Sequence, residues 1–322
     1  MDTISVGTGM AFVMECYEMG LIDKTATGGM DFSWGNKESA IKALHQMANG
    51  EGFGVTIGQG IRRMKKLFHK KYGADLSIMN DIGMEAKGME YSEYVTKESL
   101  AQQGGYGLAL KGAQHDEAWL IFLDMVHNLI PTFEKKAEAL FWFPMFRTWF
   151  GLNGLCKLPW NDVTPTENDN TEEPAKVMPH VDMYAEFFSA VTGRESTPDD
   201  LIAQSERVYN LQRLFNLRMG YGRREHDDAP YRSMGPVTED EYLSRQERYD
   251  SQLMERGVDI SGLTTAQKMK HTRKIREKAY EDLKDAVYHR RGWGSDGVPT
   301  LEKVKELGID YPEVKELIKK AS

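Results

Sequence analysis

The sequence predicts a mainly α-helical fold. Apolar residues recur at three- and four-residue steps along most of the chain, the periodic stretches end at glycines, and few segments alternate as strands do. With 322 residues, the chain has the length of about two domains and can bury a sizeable core. Asp and Glu number 49 against 41 Lys and Arg, a net charge of −8, so composition gives no argument for nucleic-acid binding. Cys16 and Cys156 are too few for a disulfide framework or a complete metal cage. The cytoplasm is the expected compartment.

The first helical period runs through Met10, Phe12, Val13, Cys16 and Met19 to a stop at Gly20. Apolar residues 10–14 are consecutive, so more than one side of this helix is apolar, and part of it is expected to be covered by something outside the chain. Ala40, Ile41, Leu44 and Met47 form the next face, closed by Gly50, and Ile57, Ile61, Met64 and Phe68 a third, closed by Gly73. Residues 74–112, rich in glycine, read as loop with short helical pieces. Helix is expected over 117–128 and again from Pro131, which suits a first turn. The Pro-, Asn- and Glu-rich residues 163–179 read as an exposed loop. Beyond it, Thr197-Pro198-Asp199 caps a helix with Leu201, Val208, Leu211 and Phe215 on one face. Charges alternate at helical spacing over 239–288, and a last helix starts at Pro312. The longest apolar runs, 118–125 and 139–146, fall short of a membrane span, and the first residues lack the basic start and cleavage site of a signal peptide, so no membrane attachment is expected.

Several side chains invite chemistry. Cys156, after a Gly-rich turn in FGLNGLCKLPWND, suits an iron–sulfur ligand or a small buried apolar residue; alone, it cannot hold a cluster that takes four thiolates. His115, after a Gly-rich stretch and beside Asp116 and Glu117, suits a general acid or base, or is an ordinary loop histidine. His127 reads as a core histidine. Arg213, Arg218, Arg223, Arg224 and Arg232 grip an anion, or else pair with acids such as Glu225, Asp227 and Asp228. The basic run 268–278 gives way to acids and reads as a charged surface helix. The aromatic residues of 141–150 read as core or as the wall of an apolar channel. No GxGxxG after a strand, GxxxxGK[ST], HExxH or CxxC is present, which leaves nicotinamide folds, P-loop enzymes and zinc proteases unsupported.

Four segments in order are similar to the carboxy-terminal half of the aldehyde ferredoxin oxidoreductase family, tungsten-pterin enzymes with one iron–sulfur cluster beside the metal. They are MDTISVGTGMAFVMECYEMGLI; WGNKESAIKALHQMANGEGFGVTIGQG; GYGLALKGAQH running on to GLNGLC; and ERVYNLQRLFNLRMGYGRREHDDAPYR with YHRRGWGSDGVPTLEKVKELGI. The resemblance implies two helical domains forming one wall of a pterin-cofactor cleft, residues 1–80 as the remainder of the first and 81–322 as the second. Of the family's DxxGxD pterin motif only the last acid, Asp2, stands here, and GLNGLC matches the second motif with Gly151 in place of its leading Asp. Asp2, Asn153, Gly154 and Leu155 are thereby implied as contacts to a tungsten (or molybdenum) bis-pterin, each from a loop ahead of a helix. Cys156 is implied as the fourth ligand of a 4Fe-4S cluster whose other cysteines lie upstream in the family, and His115 as the proton-transfer residue near the metal. Lys111 and Gln114 replace the family's usual arginine and cysteine.

The implied activity is oxidation of an aldehyde to a carboxylic acid, with electrons leaving through the cluster to ferredoxin. The implied partner is an amino-terminal pterin-binding domain or subunit. Two alternatives stand beside it: the active-site portion of a tungsten-dependent aryl-CoA reductase, and a non-catalytic partial chain that binds an amino-terminal partner.

Overall fold

The computed structural model describes residues 1–92, 94–157 and 166–321, and these are mainly helical. They form two compact units that are not consecutive in sequence: residues 1–97, 111–114 and 229–279 in one, 98–110, 115–228 and 280–322 in the other. The division therefore differs from the expected break at 80/81, because the chain returns to the first unit twice after leaving it.

The first unit opens with α1 (Thr3–Glu18), whose apolar sides pack inward: Phe12, Val13, Met14 and Cys16 are buried with Phe32, Phe53, Met64 and Phe68 in one core. Met10, Phe12, Val13 and Met14 find their cover within the unit, while Ile4, in the first turn, remains exposed. α2 (Lys37–Asn49) ends at Gly50 as expected, with φ 70°, but its face turns on Ser39 and Ala43 while Ile41 is exposed. The third period divides into α3 (Gly54–Ile57) and α4 (Ile61–Tyr72). Gly60 takes φ 82°, and the buried carboxylate of Glu90 accepts the Ile61 N–H at 2.8 Å, giving α4 a start of its own. Within 74–92, α5 (Leu76–Ile82) precedes a two-stranded hairpin, β1 (Glu85–Ala86) with β2 (Met89–Glu90).

The second unit is built around α6 (Leu100–Gly107), α7 (Phe133–Leu152), α8 (Met178–Thr192) and α9 (Pro198–Arg218). The Gly-rich stretch ahead of His115 is no flexible loop. It is α6, buried from Ala101 to Gly107, and a Cβ at Gly104 or Gly107 would lie 2.5 Å from Leu140 Cδ1 or 1.8 Å from the Tyr280 hydroxyl. The helix expected over 117–128 reduces to one π turn, Phe122–Val126. The Gln102 side chain takes the backbone groups a helix would use, donating to Ala118 O at 3.0 Å and accepting from Leu120 N at 2.6 Å. His127 is exposed there, not core. α7 starts after its N-cap Thr132, so Pro131 lies just outside the first turn. Its Phe143, Phe146, Trp149 and Phe150 are buried in core clusters. Of the expected exposed loop, 163–165 lie outside the described residues; Asn168, Pro174 and Ala175 are buried in short 3₁₀ turns, and Val177 is buried just beyond the second of them.

Thr197 and Asp200 form a reciprocal capping box on α9, as the Thr-Pro-Asp signal predicts. Its buried face, however, is Leu201, Ser205, Tyr209, Arg213 and Leu217, while Phe215 is exposed. α10 (Glu239–Leu243) and α11 (Gln246–Glu255) belong to the first unit, and α12 (Thr265–Arg291) gives its residues 265–279 to the first and the rest to the second. α13 (Leu301–Glu306) and α14 (Pro312–Ala321) pack their apolar sides on Leu214 and Leu217.

Arg213 is completely buried and held by Asp227 through two hydrogen bonds of 2.9 and 2.7 Å. Its Nε donates to Gly297 O at 2.9 Å, the Tyr288 hydroxyl donates to Asp227 at 2.5 Å, and the guanidinium lies 4.7 Å from the Trp293 ring centroid. Removing one member of such a pair leaves a buried charge alone, at a cost of about 3–5 kcal/mol. Asp227→Ala is therefore expected to lower stability by that amount, read from the denaturant midpoint. Gly107→Ala, which displaces Tyr280 from its 2.6 Å bond to Asp227 O, is expected to cost about 1–3 kcal/mol in the same assay. Midpoints unchanged in both variants would remove the cluster from its central role.

Candidate functional site

His115 follows directly on residues 111–114, which belong to the first unit, and opens a segment of the second. Two polar contacts fix the approach to it. Leu110 donates its N–H to the buried carboxylate of Glu117 at 3.0 Å, and its carbonyl accepts from Asn216 Nδ2 on α9 at 2.7 Å. The Tyr209 hydroxyl points at the same Glu117 oxygen, 3.4 Å away. The ring of His115 is half-buried and meets Trp119 edge-on, with centroids 6.3 Å apart. Gly112, at φ 121°, sits where a Cβ would approach Met89 Cβ to 2.7 Å, so this turn admits no side chain at that point. Lys111 is exposed and Gln114 partly buried.

Cys156 is exposed, three residues beyond the C-cap Asn153 of α7. Gly154, at φ 67°, lets the chain reverse, and Leu155 N bonds back to Phe150 O at 2.9 Å. Asn153 Nδ2 donates to Trp149 O at 2.9 Å. GLNGLC leaves the carboxy-terminal end of α7, and residues 158–165, which follow it beyond Lys157, lie outside the described residues. The residue next to Cys156, Lys157, pairs with Asp116 at 3.2 Å. The residue after His115 thus holds the residue after Cys156, and the structure brings these two candidate segments together. Sequence reasoning missed the pair because 41 positions separate its members and neither belongs to a motif.

Asp2 belongs to the first unit and is the N-cap of α1, its Oδ1 accepting the Ser5 N–H at 2.7 Å. That bond holds the exposed carboxyl below its ordinary range. Three of the five arginines stand in ion pairs, and Arg218 is exposed. Arg213 is bound by Asp227, Arg224 by Glu281 at 2.7 Å and Asp285 at 2.5 Å, and Arg232 by Glu15 at 2.6 Å and Glu241 at 2.9 Å. In the basic run of α12, Arg273 makes a bidentate pair with Asp81, and Lys268 reaches Asp250 at 2.8 Å.

Among the described residues, no group of three or more His, Cys, Asp or Glu is arranged to hold a metal ion. The two cysteines differ in what they can ligate. Burial pushes the Cys16 thiol far up, so it stays protonated within its core, whereas Cys156 offers an exposed thiol. One exposed thiol is enough for a single thiolate of a cluster that takes four, and no more. Among the described residues, no helix is long and apolar enough to cross a membrane.

Comparison with known proteins bears on these residues. A profile of aldehyde ferredoxin oxidoreductase domains 2 and 3 matches residues 1–309. The tungsten-containing aldehyde ferredoxin oxidoreductase of Pyrococcus horikoshii is 25% identical over 318 residues, covering 96% of this chain and 43% of that protein. An aliphatic sulfonate oxidoreductase WOR-like subunit of Pyrococcus furiosus is 22% identical, covering 96% and 40%. In structure, the chain is similar to the active-site complex BamBC of benzoyl-coenzyme A reductase with 1,5-dienoyl-CoA, with a TM-score of 0.67 at 18% identity over 100% of this chain and 46% of that one. The chain thus spans less than half the length of the curated relatives it matches. With the profile covering nearly all of its residues, the chain belongs to the aldehyde ferredoxin oxidoreductase family, in the region of that family's domains 2 and 3.

Proposed function

We propose that this chain contributes His115, Cys156 and Asp2 to an enzyme that oxidises an aldehyde to a carboxylic acid and passes the electrons through a 4Fe-4S cluster to ferredoxin. The observation that carries the reading is the Asp116–Lys157 ion pair, which holds the His115 segment beside the Cys156 loop. A tungsten (or molybdenum) bis-pterin, when bound, supplies the two-electron oxidation, and the cluster supplies the route outward.

The chain's own residues have simpler tasks. Turning an aldehyde and water into an acid releases protons, and His115 is the side chain assigned to carry one away; a histidine titrates near neutral pH and can both take and give it. Glu117 and Asn216 hold both backbone groups of Leu110 and so limit the drift of the loop that ends at His115. Cys156 supplies one thiolate. Asp2 supplies a carboxylate at the start of α1, and Asn153, Gly154 and Leu155 the backbone of the second pterin contact. The remaining cluster ligands and the other side of the pterin site come from an amino-terminal domain or subunit.

A second reading, reduction of an aryl-CoA, is favoured by Lys111 and Gln114, which stand where the family's usual arginine and cysteine are. Turnover of an aldehyde against turnover of benzoyl-CoA by the assembled enzyme separates the two.

Two outcomes are expected. These 322 residues purified alone should contain no tungsten and no stoichiometric iron, because one exposed cysteine cannot complete a four-thiolate cluster; near one cofactor per chain by metal analysis would overturn this. In the assembled enzyme, His115→Asn should reduce turnover by roughly 10²–10⁴-fold with metal content intact. Unchanged turnover would return His115 to an ordinary loop position.

A further inference from the structure

In the first unit, α4 turns Ile61, Met64 and Phe68 into the core, and its outer side carries cations and no acid. Arg63, Lys66, Lys70 and Lys71 are exposed there, and among the described residues none of the four has an acid within ion-pair distance. Arg63, Lys66 and Lys70 follow one another at three- and four-residue steps, which puts them in one stripe about 10 Å long. Other cations of the unit are held: Lys97 by Glu241, Arg232 by Glu15, Lys268 by Asp250 and Arg273 by Asp81.

The stripe works against the helix that bears it. Arg62 and Arg63 lie in the first turn, where the partial positive charge of the free N–H groups disfavours cations, and the turn holds no acid. Arg62 and Arg63 each neighbour Lys66, and Lys66 neighbours Lys70, like-charge pairs that destabilise a helix further. The nearby carboxylates are engaged elsewhere: Glu90 accepts the Ile61 N–H at 2.8 Å, and Glu85 accepts from Lys65 at 2.8 Å and from Gly88 N at 2.9 Å. Lys70 and Lys71 sit in the last turn, where the helix dipole favours them. Arg63 and Lys66 have no such account within the described residues, so their use lies outside the helix.

We infer that the outer face of α4 is the docking surface for a small acidic protein, the electron acceptor of the proposed reaction. The acceptor's identity rests on the proposed function; the charge argument does not. Complementary charge speeds encounter and fixes orientation, and electron-transfer encounters use interfaces below about 1,200 Å², a size that one helix face can serve. Ferredoxins present acidic surfaces of this kind. A membrane fits less well, because the apolar side of α4 is buried and no large apolar residue on it is exposed. An extended nucleic acid would reach past so short a stripe onto a chain of net charge −8, whereas a small protein with a local acidic patch would not.

The double variant Arg63→Glu, Lys66→Glu tests this, and it is expected to fold because it brings an acid into the first turn of α4. In the assembled enzyme, the KM for an acidic ferredoxin should rise at least ~10-fold and lose its dependence on salt. Aldehyde turnover with methyl viologen, a small acceptor that needs no docking surface, should stay the same. An unchanged ferredoxin KM would overturn the inference and leave the proposed function standing. Absence of aldehyde turnover with methyl viologen would instead overturn the proposed function, and calorimetry of the same ferredoxin with the 322-residue chain then decides the docking. Saturable binding that weakens at least ~10-fold in the double variant supports it; no binding, or equal binding to both chains, overturns it. Tighter binding of a DNA duplex or of anionic phospholipid vesicles through the same two residues would overturn it as well.

Discussion

A fully buried guanidinium organises the second unit. Arg213 is shut off from solvent, and burial alone would lower its pKa; the two bonds from Asp227 outweigh that and raise it. Asp227 in turn draws in the hydroxyl of Tyr288 through its carboxylate and that of Tyr280 through its carbonyl. Around the pair, Trp293 donates Nε1 to Asn210, and Arg291 lies 4.1 Å from the Tyr209 ring and donates to Leu140 O at 2.8 Å. The carboxy-terminal part of α12, the 224–228 turn, α9 and the 293–297 turn are thereby fixed by polar contacts that each require the others. A pair so enclosed adds little net stability relative to apolar packing, but it penalises every arrangement that leaves one member alone.

The same cluster is what makes the chain recognisable. The fourth resembling segment carries Arg213, Arg224 and Asp227, and its continuation YHRRGWGSDGVP carries Tyr288, Arg291, Trp293 and Gly297. All of these but the partly exposed Arg224 build the buried cluster, so the most specific stretch of the sequence records a packing constraint. From the residues alone, an anion grip and internal ion pairs are equally good readings of the arginines. Burial separates them: Arg213 has its acid within 2.7 Å and no exposed surface left to offer.

Helices with one apolar stripe and a clear stop are legible in the sequence, as Gly50, Gly73 and the Thr197 capping box show. Segments whose partners are distant in sequence are not. The stretch 117–128 has helical spacing, yet Gln102 outcompetes the helix for its backbone groups. The glycines of 104–107 look like a loop because their purpose, close approach to Leu140 and Tyr280, lies elsewhere in the chain. The buried face of α9 escapes detection because Ser205, Tyr209 and Arg213 do not score as apolar. Of the candidate site, the residue types His115 and Cys156 are visible. The contacts that place them, from Glu117, Asn216 and the Asp116–Lys157 pair, are not.

Those contacts suggest a division of labour between the two ends of the candidate site. Near His115, the loop base is held by a buried carboxylate and an amide, groups that resist displacement because leaving Leu110 unpaired in the interior is costly. Beyond Cys156, the tether is Lys157 to Asp116, with both side chains roughly 30% exposed and therefore screened by water. The support on the histidine side is the stiffer of the two. That order suits the proposed function, in which the proton-transfer group keeps its place while one ligand closes on a group shared with other residues. Under the proposed function, the preorganised part is the one assigned to move protons, and the adaptable part the one assigned to bind.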